Sequence, residues 1–239
     1  MNTARNFLIF VVAAVQVTAA MAQQSSSNLN VHLHPKTLSV QAKAEELFVR
    51  EEYRRAYTIY LNDLAPIGDK YAQYMLGYMS LSGLGVEEDS VLASAWYRLA
   101  AERGEPGEFV AVRDDLLSNF DAVDRERSDQ IYLGLRRDYC DIAISMRAAR
   151  EEFEDLAQGM TGSRLGSTSS AVVIVEPRTG SSLSADALIR GSQRRMQAHL
   201  DNVTATLGVE RIDAKSATAG ELAYLEELVQ DYLQRTDAR

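Results

Sequence analysis

Cysteine is nearly absent from this chain, since its 239 residues include only one. A single cysteine excludes an intramolecular disulfide and a zinc site built from several thiolates. Proline is scarce, with four residues, and the 25 Lys and Arg are outnumbered by 34 Asp and Glu. The net charge of −9 argues against binding to nucleic acid or to an anionic membrane, because both require clustered basic residues. The scarcity of proline, together with abundant Ala, Leu, Arg and Glu, favours helix over sheet.

Long apolar runs are also missing, except near the N-terminus. Arg5 precedes an apolar run of 11 residues, 7–17, and Ala20-Met21-Ala22 has the small-x-small pattern that signal peptidase accepts. We therefore expect residues 1–22 to be a cleaved export signal. The alternative is a membrane anchor, but a spanning helix needs about 20 apolar residues. The mature protein is expected to be periplasmic or secreted, with no membrane span.

Residues 23–36 are polar and rich in Ser and Asn, which predicts a flexible leader. The leader contains His32 and His34, but neither has an acidic or thiolate neighbour. We therefore predict no metal site here and expect no cofactor.

From residue 37 onwards the sequence predicts helices in pairs. Helix-length runs occupy residues 38–50 and 52–65, and two further runs occupy 69–82 and 89–104. The links between them are short, so neighbouring helices should form antiparallel hairpins.

The second pair carries the strongest signal in the chain. Gly77 is tolerable in a helix only where a neighbouring helix comes very close. Gly83 and Gly85 permit positive φ in a tight loop, and Asp89 is placed to cap the following helix. Trp96 should fill the space between the two helices, which small alanines allow to approach each other.

The motif of this pair resembles the Sel-one-like repeat, a relative of the tetratricopeptide repeat. Its pattern is Ala-x3-Leu-Gly, then Gly-x-Gly-Val-x2-Asp-x3-Ala-x2-Trp-Tyr-x2-Ala-Ala-x2-Gly. The matching positions are Ala72, Leu76, Gly77, Gly83, Gly85, Val86, Asp89, Ala93, Trp96, Tyr97, Ala100, Ala101 and Gly104. Ser80 departs from the pattern, because the family usually has Tyr there.

The resemblance covers roughly residues 42–139, with a partial repeat before the clear one and an eroded repeat after it. In the eroded repeat Arg113 replaces the glycine, and residues 124–139 would form a capping helix. We therefore predict a mainly all-α fold of antiparallel helical-hairpin repeats, an α-solenoid, over residues 37–139.

Residues 140–239 are predicted to form a C-terminal helical region with one short β segment. A Ser- and Gly-rich segment, 162–184, contains the only strong strand signal, 171–175. This strand could pair near Arg164 or Arg178, lie against the helices, or accept a strand from another molecule. Amphipathic helices are expected at 185–207 and 218–234, either packed on the repeats or binding a partner.

The sequence contains no convincing catalytic set. Cys140 and His199 are the only thiol and the only histidine after the leader, and neither stands in a recognisable motif. Cys140 lies beside apolar residues, a setting typical of a small buried side chain.

Sel-one-like proteins act mainly as adaptors in assembling complexes, so the resemblance implies a non-enzymatic scaffold of the cell envelope with a protein or peptide partner. In related repeats the helix carrying Tyr74 and Tyr78 lines the inner surface. These two residues are therefore candidate contacts, or else they fill the gap between helices. The alternative function is a secreted cell-wall-active enzyme with its active site in the C-terminal half.

Overall fold

A computed structural model describes residues 35–102, 107–161, 173–175 and 182–237, and this part of the chain is mostly helical. The predicted export signal, nearly all of the predicted leader and most of the Ser- and Gly-rich segment lie outside the described residues. The helices are α1 (Pro35–Val49), α2 (Tyr53–Ile59), α3 (Lys70–Leu81), α4 (Ser90–Ala100), α5 (Gly107–Ser118), α6 (Ala122–Tyr139), α7 (Asp141–Thr161), α8 (Ala185–Leu207) and α9 (Ala219–Asp237).

The first hairpin differs from the prediction in two details. Helix α1 begins at Pro35, inside the predicted leader, because the fixed φ of proline suits the first helical position. The predicted helix over 52–65 is α-helical only to Ile59. It then widens into a π-helical turn, Tyr60–Leu64, and tightens into a 3₁₀ turn, Ala65–Ile67, which Gly68 ends with a φ of 80°.

The eroded repeat and the capping helix are both present as helices. Helix α5 occupies the place predicted for another first helix, and α6 follows it after a short link. Asp121 caps α6, since its Oδ1 accepts hydrogen bonds from the amides of Val123 and Asp124 at 2.8 and 2.9 Å.

One hydrophobic core joins the repeat region to the C-terminal helices. Trp96 of α4 belongs to the same cluster of buried residues as Met146 of α7, Leu200 of α8 and Leu225 of α9. Helix α8 packs mainly against α7, and α9 packs against both of these helices. Within the described residues, the two amphipathic C-terminal helices therefore bury their apolar faces internally.

Two short strands lie between α7 and α8. Strand β1 (Val173–Val175) pairs antiparallel with β2 (Ser182–Ser184), and Ile174 stands opposite Leu183. Residues 171 and 172 of the predicted strand lie outside the described part of the chain. None of the described helices combines the length and apolar character that a bilayer crossing requires.

Candidate functional site

Helices α3 and α4 form a hairpin in which the two backbones approach closely at Gly77. A Cβ atom placed on Gly77 would lie 2.7 Å from the ring of Tyr97 and 3.2 Å from the carbonyl oxygen of Ala93. Both distances are shorter than ordinary van der Waals contact. Glycine is therefore required here by the neighbouring helix, as the sequence predicted.

The loop of the hairpin depends on two glycines with left-handed backbones. Gly83 has a φ of 64° and Gly85 a φ of 78°. A Cβ on Gly85 would also lie 2.5 Å from the backbone of Tyr53 and Arg54 at the start of α2. Gly85 thus serves two purposes, since it turns the chain and lets the loop touch the preceding hairpin.

Aspartates cap both helices of the hairpin. Asp89 Oδ1 accepts hydrogen bonds of 2.9 Å from the amides of Val91 and Leu92 at the start of α4. Asp69 Oδ1 accepts one of 3.0 Å from the amide of Ala72 at the start of α3. These caps satisfy backbone donors that have no partner within the helix.

The predicted inner faces of the two helices are buried. Trp96 is 1% exposed, and its ring meets that of Tyr139 edge-on with a centroid distance of 5.0 Å. Ser80, which replaces the family's Tyr, is fully buried, and its hydroxyl donates to the Leu76 carbonyl at 2.7 Å. Other motif positions that are buried are Ala72, Leu76, Ala93, Tyr97, Ala100 and Ala101; Gly104 lies outside the described residues.

The two candidate contact residues are partly buried and make aromatic contacts between helices. The Tyr74 ring stacks on Phe109 of α5 at a centroid distance of 4.6 Å and lies 5.3 Å from Tyr97. The Tyr78 ring lies 6.3 Å from that of Phe48 on α1. Burial raises the pKa of Tyr74, and nearby Tyr78 and Glu108 raise it further. Both tyrosines therefore fill interhelical gaps and also present part of their surface to solvent.

A buried ionic cluster, which sequence reasoning missed, lies at the end of the hairpin. Lys70 is 9% exposed, and its ammonium lies 2.9 Å from Asp141 Oδ1 and 3.4 Å from Glu102 Oε2. It also donates to the Leu99 carbonyl at 2.8 Å and to Gln73 Oε1 at 3.2 Å. We refer to Lys70, Glu102 and Asp141 as the Lys70 cluster.

Further hydrogen bonds extend this junction. The Asp141 amide donates to Glu102 Oε2 at 3.0 Å, and Gln73 Nε2 donates to the Tyr139 carbonyl at 2.9 Å. Burial raises the pKa of Glu102, while Lys70 opposes that rise. One sequence signal could have indicated this site: Lys70 is the first residue of α3, where the positive end of the helix dipole makes a cation unfavourable and a nearby carboxylate offsets that cost.

The thiol and the imidazole that could have served catalysis are both buried. Cys140 has no exposed surface, and burial raises the pKa of its thiol to about 11, with a further contribution from the charge of Glu102. A thiol with this pKa is protonated at neutral pH and is a poor nucleophile. His199 is 7% exposed, and burial lowers its pKa.

No cluster suited to a metal ion occurs within the described residues. Groups of at least three His, Cys, Asp and Glu side chains that could hold such an ion are not found there. His32 and His34 lie outside the described part of the chain.

Comparison with known proteins shows which repeat family the hairpin resembles. The family model of the Sel1 repeat matches residues 70–105, the segment that contains α3, the glycine loop and α4. This match supports the interpretation that the protein contains repeats similar to Sel-one-like and tetratricopeptide repeats. Sel1 repeats generally mediate protein–protein interactions, and the family is typically non-catalytic. Neither a curated protein nor a solved structure matched the chain.

Proposed function

We propose that this protein is a non-enzymatic scaffold or adaptor, exported to the cell envelope, that holds a protein or peptide partner on its helical-repeat surface. The observation that carries the proposal is the Sel1 match over residues 70–105, together with a hairpin whose glycines and alanines serve close packing. Stacked helical hairpins bury their shared faces and leave one side of the stack free for a partner.

The proposed contact surface includes Tyr74 and Tyr78. Each ring is held in place by neighbouring aromatic side chains and remains partly exposed. Fixed aromatic rings lose little conformational entropy on binding, which suits them to protein recognition.

Partner capture from an envelope extract of the source cells tests this function. The immobilised protein should recover specific proteins, and Tyr74→Ala with Tyr78→Ala should reduce recovery at least about fivefold, as expected for loss of central aromatic contacts. Tyr224→Ala, at a tyrosine that is 58% exposed on α9, is the matched control and should leave recovery unchanged.

The tyrosines also contribute to packing, so stability must be measured for the same variants. Tyr74→Phe with Tyr78→Phe keeps the rings and should retain both the fold and most of the binding. If the alanine variant is still folded by circular dichroism and captures every partner as before, the proposed surface is wrong. If the unmodified protein captures no partner, the scaffold function itself is wrong.

Export and location are tested separately. N-terminal sequencing of the protein from its source cells should show Gln23 as the first residue, and fractionation should place it in the periplasm or the medium. An intact Met1 start in the cytosolic fraction would contradict the envelope location.

A further inference from the structure

The solvent-facing side of α3 consists almost entirely of tyrosine. Of the 12 residues of this helix, eight are buried, and the partly exposed ones are Tyr71, Tyr74, Tyr78 and Leu81. These four residues are three or four positions apart, so they form one stripe along the helix. Surface helices usually carry charged side chains on their solvent side, so an aromatic stripe without any charge is suited to contact with a partner.

The first helices of the neighbouring hairpins border this stripe on its two sides. The ring centroid of Phe48 on α1 lies 6.3 Å from that of Tyr78, and the Phe109 ring of α5 stacks on Tyr74 at 4.6 Å. Helices α1 and α5 therefore form the walls of a shallow surface whose base is α3. We refer to Tyr71, Tyr74 and Tyr78 as the tyrosine floor.

The charges that act on the tyrosine floor are negative. Burial raises the pKa of Tyr71, and Glu45 and Asp69 are among the neighbours that raise it further. Burial also raises the pKa of Tyr74, where Glu108 adds to the rise. Among the described residues, no cation contributes to the pKa shift of either tyrosine. The electrostatic potential at the floor therefore favours a cation.

Glu45, on the α1 side of the floor, has no ion-pair partner within the described residues. Burial raises the pKa of its carboxyl group, and the charge of Asp69 raises it further. The cations of α1 lie elsewhere. Arg50 pairs with Glu46. Lys43 is two positions from Glu45, which places it on the opposite side of the helix.

Glu108, on the α5 side of the floor, is exposed and also has no ion-pair partner in the described part of the chain. Arg113, the cation of α5, pairs with Asp114 at 2.8 Å and lines a cavity between α4, α5 and α6. Two carboxylates, those of Glu45 and Glu108, are thus available at the floor to a cationic ligand.

We infer that the tyrosine floor binds a basic segment of the protein partner, with an arginine side chain across the rings and its charge stabilised by Glu45 and Glu108. Guanidinium groups stack on aromatic rings and form paired hydrogen bonds with carboxylates, so arginine matches both features of this surface. The inference rests on the proposed scaffold function and specifies the chemistry of the partner. Charge complementarity selects this occupant over an acidic or a purely apolar segment.

Fluorescence anisotropy with the labelled peptide Gly-Arg-Leu-Arg-Gly-Arg-Leu-Gly tests this surface. Replacing each arginine of the peptide by citrulline, which has nearly the same shape but no charge, should weaken binding at least about tenfold. Glu45→Gln with Glu108→Gln should also weaken binding of the arginine peptide about tenfold and make it less sensitive to salt. Because loss of the Glu45 charge relieves its repulsion from Asp69, this variant should remain folded, which circular dichroism checks.

Glu46→Gln with Asp114→Asn is the matched control. It removes two carboxylates from the same two helices and changes the net charge equally. However, Glu46 pairs with Arg50, and Asp114 pairs with Arg113. Binding of the arginine peptide should therefore change less than about twofold.

Several results would overturn the inference. Equal binding by the test and control variants would do so, as would equal binding of the arginine and citrulline peptides or tighter binding of the acidic peptide Gly-Glu-Leu-Glu-Gly-Glu-Leu-Gly. A dimer in analytical ultracentrifugation that Tyr74→Ala with Tyr78→Ala dissociates would assign the floor to a second copy of the chain. If Glu45→Gln with Glu108→Gln leaves partner capture from the extract unchanged while the tyrosine variant abolishes it, the charge preference is wrong and the scaffold function stands.

Discussion

The ammonium of Lys70 lies 2.9 Å from the carboxylate of Asp141, so the first turn of α3 is tied to the first turn of α7. The Sel1-like hairpin and the C-terminal helices therefore meet at a charged contact as well as through the shared hydrophobic core. Glu102, which lies just after the end of α4, completes the Lys70 cluster. Helices α3, α4 and α7 therefore meet at this cluster.

Removing the cation of this cluster should destabilise the fold. In Lys70→Met the carboxylates of Glu102 and Asp141 lose their counterion while remaining mostly buried, so we expect the free energy of unfolding to fall by about 3 kcal/mol. Urea denaturation measures this change. Lys43→Met removes an exposed lysine of α1 and should alter stability by less than about 0.5 kcal/mol. Equal stability of the two variants would show that the cluster contributes little.

Two glycine-to-alanine substitutions should change stability in opposite directions. Gly77→Ala forces a methyl group against Tyr97 and the Ala93 carbonyl, and should lower the free energy of unfolding by about 1–3 kcal/mol. Gly134→Ala, at an exposed position of α6 with nothing within 4 Å, should raise it by about 0.5–1 kcal/mol through helix propensity. Thermal and urea denaturation of both proteins provide the comparison. A Gly77→Ala protein as stable as the Gly134→Ala protein would disprove the close helix contact.

The thiol of Cys140 should be unreactive in the folded protein. It has no exposed surface, and its pKa is raised to about 11, so little thiolate exists at about pH 8. A chromogenic disulfide reagent should label it only as fast as the protein opens, and rapidly in guanidinium chloride. Fast stoichiometric labelling of the native protein, or a disulfide-linked dimer, would contradict the burial.

Stability should depend on pH through His199. Burial is the main cause of its lowered pKa; Glu152 raises the pKa and Arg195 lowers it. Because the unfolded chain binds the proton more readily, this contribution lowers stability as the pH falls below the ordinary value of 6.5 towards the folded pKa. Above 6.5 the imidazole is neutral in both states and the effect disappears.

Comparison of histidine variants isolates this effect. Urea denaturation at several pH values should show a smaller loss of stability on acidification for His199→Gln than for the unmodified protein. His32→Gln with His34→Gln should follow the unmodified protein, since both residues lie in the predicted leader. If His199→Gln and the unmodified protein lose the same free energy between about pH 7 and pH 5, the lowered pKa is not coupled to folding.

The sequence predicted the Sel1-like hairpin because its determinants are local. Gly83, Gly85 and Asp89 act on the backbone within a few residues of themselves, so their spacing alone indicates the loop and the cap. Gly77 was also predictable, since a glycine in a helix is unfavourable unless another element comes close. The π-helical turn in the preceding hairpin was not predicted, because it depends on how Pro66 and Gly68 end the helix against the packed core.

The proposed contact surface could be predicted from the sequence only in part. Tyr74 and Tyr78 were proposed from their place in the repeat, but the aromatic residues beside their rings, Phe109 and Phe48, come from other helices.

By itself the sequence determined the helical class, the hairpin at residues 70–105 and its capping, since these follow from backbone conformation and short-range hydrogen bonds. Only the tertiary structure decided that Lys70 binds Asp141 and that α7 to α9 share the core of the repeats. Contacts of this kind depend on which helix faces meet once apolar surface is buried, and that outcome is a property of the whole chain rather than of any segment.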